Sequence, residues 1–287
     1  MTRLISVCVA LAFSTLRPYC NTDDPAWIVG MRKFGYQSAQ WGADTGVKFT
    51  GPFLVVYSGS IFSRSMTPKL VFDKDTGQLV PWDLLAGISL PPWDECQRTI
   101  VKRPFPYLNA IDCWDSMTIQ QVGGIGRGEE RGEAKYYLDE PGKDKVLLFR
   151  GRCNTDPHFV GKHHILVRLC NGRRVVVDNG GRKLYDMPKL FDAYIAPNRE
   201  GTRFIVYERD SSLIGQFTDQ TDRKRLKVFR SSDGEKLFEY HWGQIEGDRL
   251  NDGRVALSDD GSLAALIRGT ELIVFAIDKP TSTLHRK

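Results

Sequence analysis

Val255-Ala256-Leu257-Ser258-Asp259-Asp260-Gly261-Ser262-Leu263-Ala264-Ala265-Leu266 is two short apolar runs around an Asp-Gly turn, and Leu272-Ile273-Val274-Phe275 follows it. Gly accepts the positive φ that tight hairpin turns demand, so the stretch predicts strand, turn, strand, strand. Ala193 to Val206 repeats the pattern, with Pro197-Asn198-Arg199-Glu200-Gly201 as the turn. A second landmark lies downstream of each hairpin. Val228-Phe229-Arg230-Ser231-Ser232-Asp233-Gly234-Glu235-Lys236-Leu237 is a strand, a polar turn with Gly, and a returning Leu. Val71 to Leu79 and Val175 to Leu184 have the same form, whereas Val274 to Pro280 has the strand and turn without a return.

Working outward, no segment sustains an apolar period of 3.6. The runs at Phe53–Tyr57, Lys145–Phe149, His164–Val167, Arg174–Val177, Arg203–Tyr207 and Leu226–Phe229 are short, rich in Val, Ile and Phe, and bounded by turn formers. The chain reads as all-β. The first Val of the turn motif falls at 71, 175, 228 and 274, giving intervals of 104, 53 and 46 residues. The long interval implies a hidden unit near residue 122. A period of roughly 40–50 residues is that of four strands with their turns, a propeller blade.

The Ser-Asp-Asp-Gly-Ser-Leu-Ala turn at 258–264, followed by Val274-Phe275, resembles the turn grammar of WD-repeat and related bacterial β-propellers. The likeness is best over 193–280, partial over 44–80 and 162–187, and slight over 81–150. It implies a single propeller over residues 25–280, with five four-stranded blades, or six if the divergent 81–150 region holds two. The strand missing after Asp278 must come from elsewhere, and Ala26–Phe34 has the length to close the last blade.

The remaining features bound the function. The 287 residues carry 40 Lys and Arg against 35 Asp and Glu, a net charge of +5 that selects no class of partner. Met1-Thr2-Arg3 and the uncharged run Leu4–Leu16 form a signal-peptide pattern over 1–14, too short to span a bilayer. Export to a periplasmic or extracellular space is therefore expected. A buried first strand, and with it a cytoplasmic scaffold, is the alternative. In an oxidising compartment Cys96 with Cys113 and Cys153 with Cys170 are the local pairings, each closing a loop of about 17 residues worth about 3 kcal/mol.

Cys153, His158, His163 and Cys170 are zinc-ligand types without zinc-site spacing, and make only weak metal candidates. Gly123–Gly128 satisfies neither the dinucleotide nor the P-loop pattern, and Glu129-Glu130 would repel a phosphate. The basic stretches at 168–183 and 223–230 alternate with apolar residues at strand period, which predicts solvent-facing charges and disfavours nucleic acid. Asp73, Asp178, Asp233 and Asp260 fit turn chemistry better than catalysis. No cofactor is expected. The aromatic positions Trp82, Trp93, Phe105, Tyr107 and Trp114 are the candidate binding surface for another protein or a small ligand. The leading expectation is a non-enzymatic binding module. The alternative is a propeller enzyme (a hydrolase, lyase or quinone-dependent dehydrogenase) with its site at the central channel.

Overall fold

The computed structural model describes residues 24–36, 44–60, 65–88, 90, 109–123, 133–152, 155, 157–188, 190, 192–210, 223–242 and 255–277. The signal-like segment lies outside these residues, as do Cys96, Cys153, Trp93, Phe105 and Tyr107. The described chain is all-β, in five antiparallel sheets numbered here in chain order. Sheet I holds β2 (Asp44–Thr50), β3 (Phe53–Ser60) and β4 (Ser65–Asp73). Sheet II holds β5 (Asn109–Trp114), β6 (Met117–Val122), β7 (Ala134–Asp139) and β8 (Val146–Gly151). Sheet III holds β9 (His158–Gly161), β10 (His164–Arg168), β11 (Arg174–Val177) and β12 (Lys183–Met187). Sheet IV holds β13 (Asp192–Pro197), β14 (Arg203–Asp210), β15 (Arg223–Arg230) and β16 (Lys236–Trp242). Sheet V holds β17 (Val255–Leu257), β18 (Leu263–Arg268) and β19 (Glu271–Ala276), with β1 (Trp27–Gly30) as its fourth strand.

The N-terminal strand runs antiparallel to β19, with Trp27 opposite Val274 and Gly30 opposite Glu271. It is shorter than the expected Ala26–Phe34. Met31–Phe34 turns into a single 3-10 helix, buries Met31 and ends on Gly35 in the left-handed region. The strand stops where the chain must drop Met31 into the core beneath it. Sheet I has three strands, and its fourth is reduced to a single bridge between Phe72 and Leu79. The divergent 81–150 region contains one four-stranded sheet among the described residues. Its turn equivalent lies at 140–145, between β7 and β8, rather than near residue 122. Among the described residues one unit with unequal connections occupies the interval.

The sheets pack face to face in the series I, V, IV, III, II. Val47, Leu54 and Phe72 meet Ala265, Ile267 and Leu272 between sheets I and V. Ile205, Leu226 and Val228 meet Leu257, Leu266 and Phe275 between IV and V. Phe204, Val206 and Phe229 meet Val160, Leu166 and Val176 between III and IV, and Ile119, Leu138 and Leu148 meet Ile165, Val167 and Val177 between II and III. Because most sheets are covered on both faces, their strands read as continuous apolar runs rather than alternating ones. On its outer side, sheet I is covered by Leu85 of the 3-10 turn Trp82–Leu85.

One end of every sheet is closed by short turns, and these turns bond to the neighbouring sheet. Between IV and V, Asn198 Nδ2 donates to the Asp259 carbonyl at 2.7 Å and Arg203 Nη1 to the Gly261 carbonyl at 3.0 Å. Between III and IV, Ser231 Oγ donates to the Val160 carbonyl and Tyr185 Oη to the Ser231 carbonyl, at 2.5 and 2.6 Å. Trp27 Nε1 ties sheet V to the Lys74 carbonyl of sheet I at 2.9 Å, and Asp112 accepts the Phe159 N–H at 2.7 Å between II and III. Asp73, Asp178, Asp233 and Asp260 each accept backbone N–H groups two residues on, which is the turn role the sequence suggests. The long connections, 86–108, 211–222 and 243–254 among them, leave from the strand ends opposite these turns.

Candidate functional site

The strongest chemical anomaly is the layer between sheets III and IV. Near the braced turns it is apolar. Alternation along β14 then puts Glu208 on the same face as Phe204 and Val206, and the register sets Lys227 opposite Val206 and Arg225 opposite Glu208. Glu239 and His241 of β16 stand opposite Lys227 and Arg225. Across the gap, Arg168 of β10 and Arg174 of β11 are directly paired, on the face that carries Leu166 and Val176. The layer thus changes from hydrocarbon to charge toward the end that bears the long connections.

Arg168 and His241 are exposed and Arg225 is half-buried, but the charges between them are not solvent-facing. Glu208 is 0% exposed, Lys227 8% and Arg174 5%. The expectation that the basic stretches face solvent holds for Arg168, Arg173, Arg182 and Lys183, which are exposed, and fails at Arg174, Lys224 and Lys227, because both faces of sheets III and IV are packed there. Lys227 Nζ bonds Glu208 and lies 3.9 Å from Glu239, which also takes Lys236 and sits 3.1 Å from His241 Nε2. Burial alone would raise the Glu239 carboxyl; the bond from Lys236 and the charges of Lys227 and His241 more than offset this and hold it below the usual range. Desolvating such pairs costs several kcal/mol per ion before pairing returns it, so an apolar layer would serve stability equally well. Charge kept there is a functional-site candidate on physical grounds.

On the opposite face of the same sheet, Lys224 is 1% exposed beside an aromatic row. Tyr207 stacks on Trp242 and Trp242 on Tyr240, both at 5.6 Å between centroids, and Tyr240 accepts a 2.6 Å bond from Arg268. Sheet IV therefore carries buried cations on both faces at one end.

The residues singled out from sequence are scattered. Trp82 is 53% exposed, and Leu79, Leu84 and Ile88, close to it in sequence, are exposed as well. Trp114 does not belong to the candidate aromatic surface. It is 8% exposed, its ring lies 6.4 Å from that of Phe159, and it packs on Gly201. The Trp ends β5, where the innermost strands of sheets II and III meet, and its area fills that junction. Among the weak metal candidates, His158 lies 3.8 Å from Asp112, His163 lies 3.2 Å from Asn179, and Cys170 is disulfide-bonded. Cys113 is also disulfide-bonded. No group of three His, Cys, Asp or Glu side chains among the described residues converges as a metal site would require. Burial and the neighbouring His163 keep His164 below the ordinary histidine range.

The sequence reading missed Glu208, Lys227 and Glu239. The signal was present in Arg203-Phe204-Ile205-Val206-Tyr207-Glu208, where a charge ends a run buried on both faces. Reading it required knowing that no face of this strand meets water.

No family model matches the chain, and no curated protein matches it. Among solved structures it is similar to a chain of a mitotic checkpoint complex, at 8% identity over 95% of this chain and 100% of that one, with a TM-score of 0.32. It is similar to the β-propeller domain of the Trilobed protease from Pyrococcus furiosus, at 8% identity over 80% of this chain and 65% of that one, with a TM-score of 0.35. BamB from Moraxella catarrhalis matches at 9% identity over 83% of this chain and 64% of that one, with a TM-score of 0.32. Fold does not carry function, which must come from this chain's own residues.

Proposed function

We propose that this chain is an exported, non-enzymatic binding module built as a five-bladed propeller, its last blade fastened by the N-terminal strand β1. The observation that carries this reading is the asymmetry of the two ends. Inter-sheet bonds between short turns fix one end, while every long connection leaves from the other, and binding surfaces are built from loops held by a rigid frame. The pairing of β1 with β19 supports closure, since it joins the first and last described strands within one sheet. The disulfide-bonded Cys113 and Cys170 support an oxidising compartment. Among the described residues no helix is long and apolar enough to cross a membrane.

The test is cell fractionation with intact-mass analysis of the recovered protein, alkylated before and after reduction. Native mass spectrometry of the same sample looks for a retained ligand or partner. The expected outcome is a chain beginning after Ser14, found outside the cytoplasm, with Cys113 and Cys170 alkylated only after reduction. A chain retaining Met1, found in the cytoplasm with those thiols free, refutes the exported module.

A further inference from the structure

We infer that Cys113 and Cys170 belong to two separate disulfides, one at each end of the sheets, and that the Cys170 bridge is a reducible fastening on the end that bears the long connections. This rests on the exported-module reading and adds a covalent frame and a redox response to it. Both residues are disulfide-bonded, and the geometry keeps them apart. Cys113 stands at the end of the short turns. The ring of Trp114, the next residue, and the Lys162 backbone nitrogen both lie against Gly201, so the turns after β5, β9 and β13 meet there. Asp112, the residue before, accepts the Phe159 N–H at 2.7 Å, and Phe159 lies opposite Ile165. Cys113 is therefore level with the start of β10.

Cys170 lies beyond the other end of that strand. It sits in a turn closed by the Gly172 N–H on the Leu169 carbonyl at 2.9 Å, and the Leu169 N–H continues the ladder to the Arg173 carbonyl. Ile165 and Leu169 are four residues apart on extended backbone, about 13 Å. The side chains diverge as well. Asp112 and Trp114 face sheet III, so alternation turns Cys113 to the other face of sheet II, opposite Thr118. A disulfide holds its two Cα atoms within about 7 Å, so no bond joins this pair. Each takes its own partner, and at least four of the six cysteines are oxidised. The other four cysteines lie outside the described residues. The two bridges differ in access: Cys170 is exposed, whereas Cys113 is half-buried on a face where Thr118 is 2% exposed. Thiolate attack needs a path to the sulfur, so a dithiol reaches Cys170 first. One thiolate of the dithiol attacks the bridge to form a mixed disulfide, and its second thiol displaces the protein. The dithiol ends as a cyclic disulfide, and its two electrons and two protons leave Cys170 and its partner as thiols. The loop-bearing end of sheet III is then released, while the Cys113 bridge still fastens the braced end.

The experiment digests the oxidised chain without reduction and maps its linked peptides by mass, then repeats the mapping after graded dithiothreitol and trapping with iodoacetamide. The expected result is a separate linked pair for each of Cys113 and Cys170, with Cys170 alkylated at a dithiothreitol concentration about tenfold or more below that for Cys113. In Cys113→Ser, Cys170 should stay protected from alkylation until reductant is added. A peptide joining Cys113 to Cys170, a free Cys170 thiol in Cys113→Ser, or Cys113 opening first or together with Cys170 overturns the inference. Each of those results leaves the exported module standing, because the thiols are still oxidised. Both thiols free in the recovered chain before reduction would remove that reading and the two bridges together.

Discussion

Replacing Glu208 with Leu separates a charge kept for function from one kept for stability. The carboxylate is fully buried, bonds Lys227, and shares a face with Phe204 and Val206. Removing one partner of a buried pair leaves the other charge desolvated, at a cost of about 3–5 kcal/mol. Glu239, 3.9 Å from Lys227, retains part of that compensation, so the lower end of the range is expected. In urea, with a slope of about 3 kcal/mol/M for a chain of this size, the midpoint should fall by about 1 M. Lys227→Met should cost a similar amount, because it leaves Glu208 buried without its ammonium. The double variant Glu208→Leu with Lys227→Met should lie within about 1 kcal/mol of the native chain, since apolar groups then continue the core. Urea unfolding followed by tryptophan fluorescence, with m compared across the four proteins, measures the cycle. The reasoning fails if Glu208→Leu costs under about 1 kcal/mol, or if the double variant is as unstable as either single one.

Two further outcomes follow from the turns. A Cβ at Gly181 would stand 2.0 Å from the Leu148 carbonyl oxygen, at a φ of +80°, so Gly181→Ala should cost about 2–4 kcal/mol and lower Tm by about 5–15 °C; a shift under about 1 °C would mean that sheets II and III do not meet at this turn. For Asp260, burial alone would raise the carboxyl, but the Ser258 and Ser262 hydroxyls and the Ser262 N–H bring it from 3.8 down to about 2. A depressed folded pKa contributes stability that is present above the unfolded value and is lost as pH falls through the folded one, so the loss spans about pH 4 to pH 2. Asp260→Asn should flatten the stability profile in that window, and an unchanged slope in urea titrations at stepped pH would reject the assignment.

Some of this protein was legible in its residues, because local chemistry decides it. Strand runs such as Val175-Val176-Val177 and Leu272–Phe275 are apolar on both faces, and that pattern is strand-specific once turns bound it at every few residues. The Asp-Gly turns also follow from local bonding, since an Asp that caps its own turn needs no distant partner. The pairing of β1 with β19 joins residues far apart in the chain, so it belongs to the tertiary structure and not to local pattern.

The site was not legible, because strand alternation assigns faces without saying what covers them. Lys224 and Lys227 point to opposite faces of β15, so one of them would meet water in a sheet with one wet face. Sheets III, IV and V stack so that sheet IV has no wet face, and the same residues become buried ions. Trp114 was misplaced for the converse reason. Its neighbours in sequence are polar, but the junction of β5 with β9 encloses it. The sequence by itself determined the strands and the turns, which are settled within a few residues of the chain. The tertiary structure alone decided which charges lose their water, because that depends on which sheet faces which.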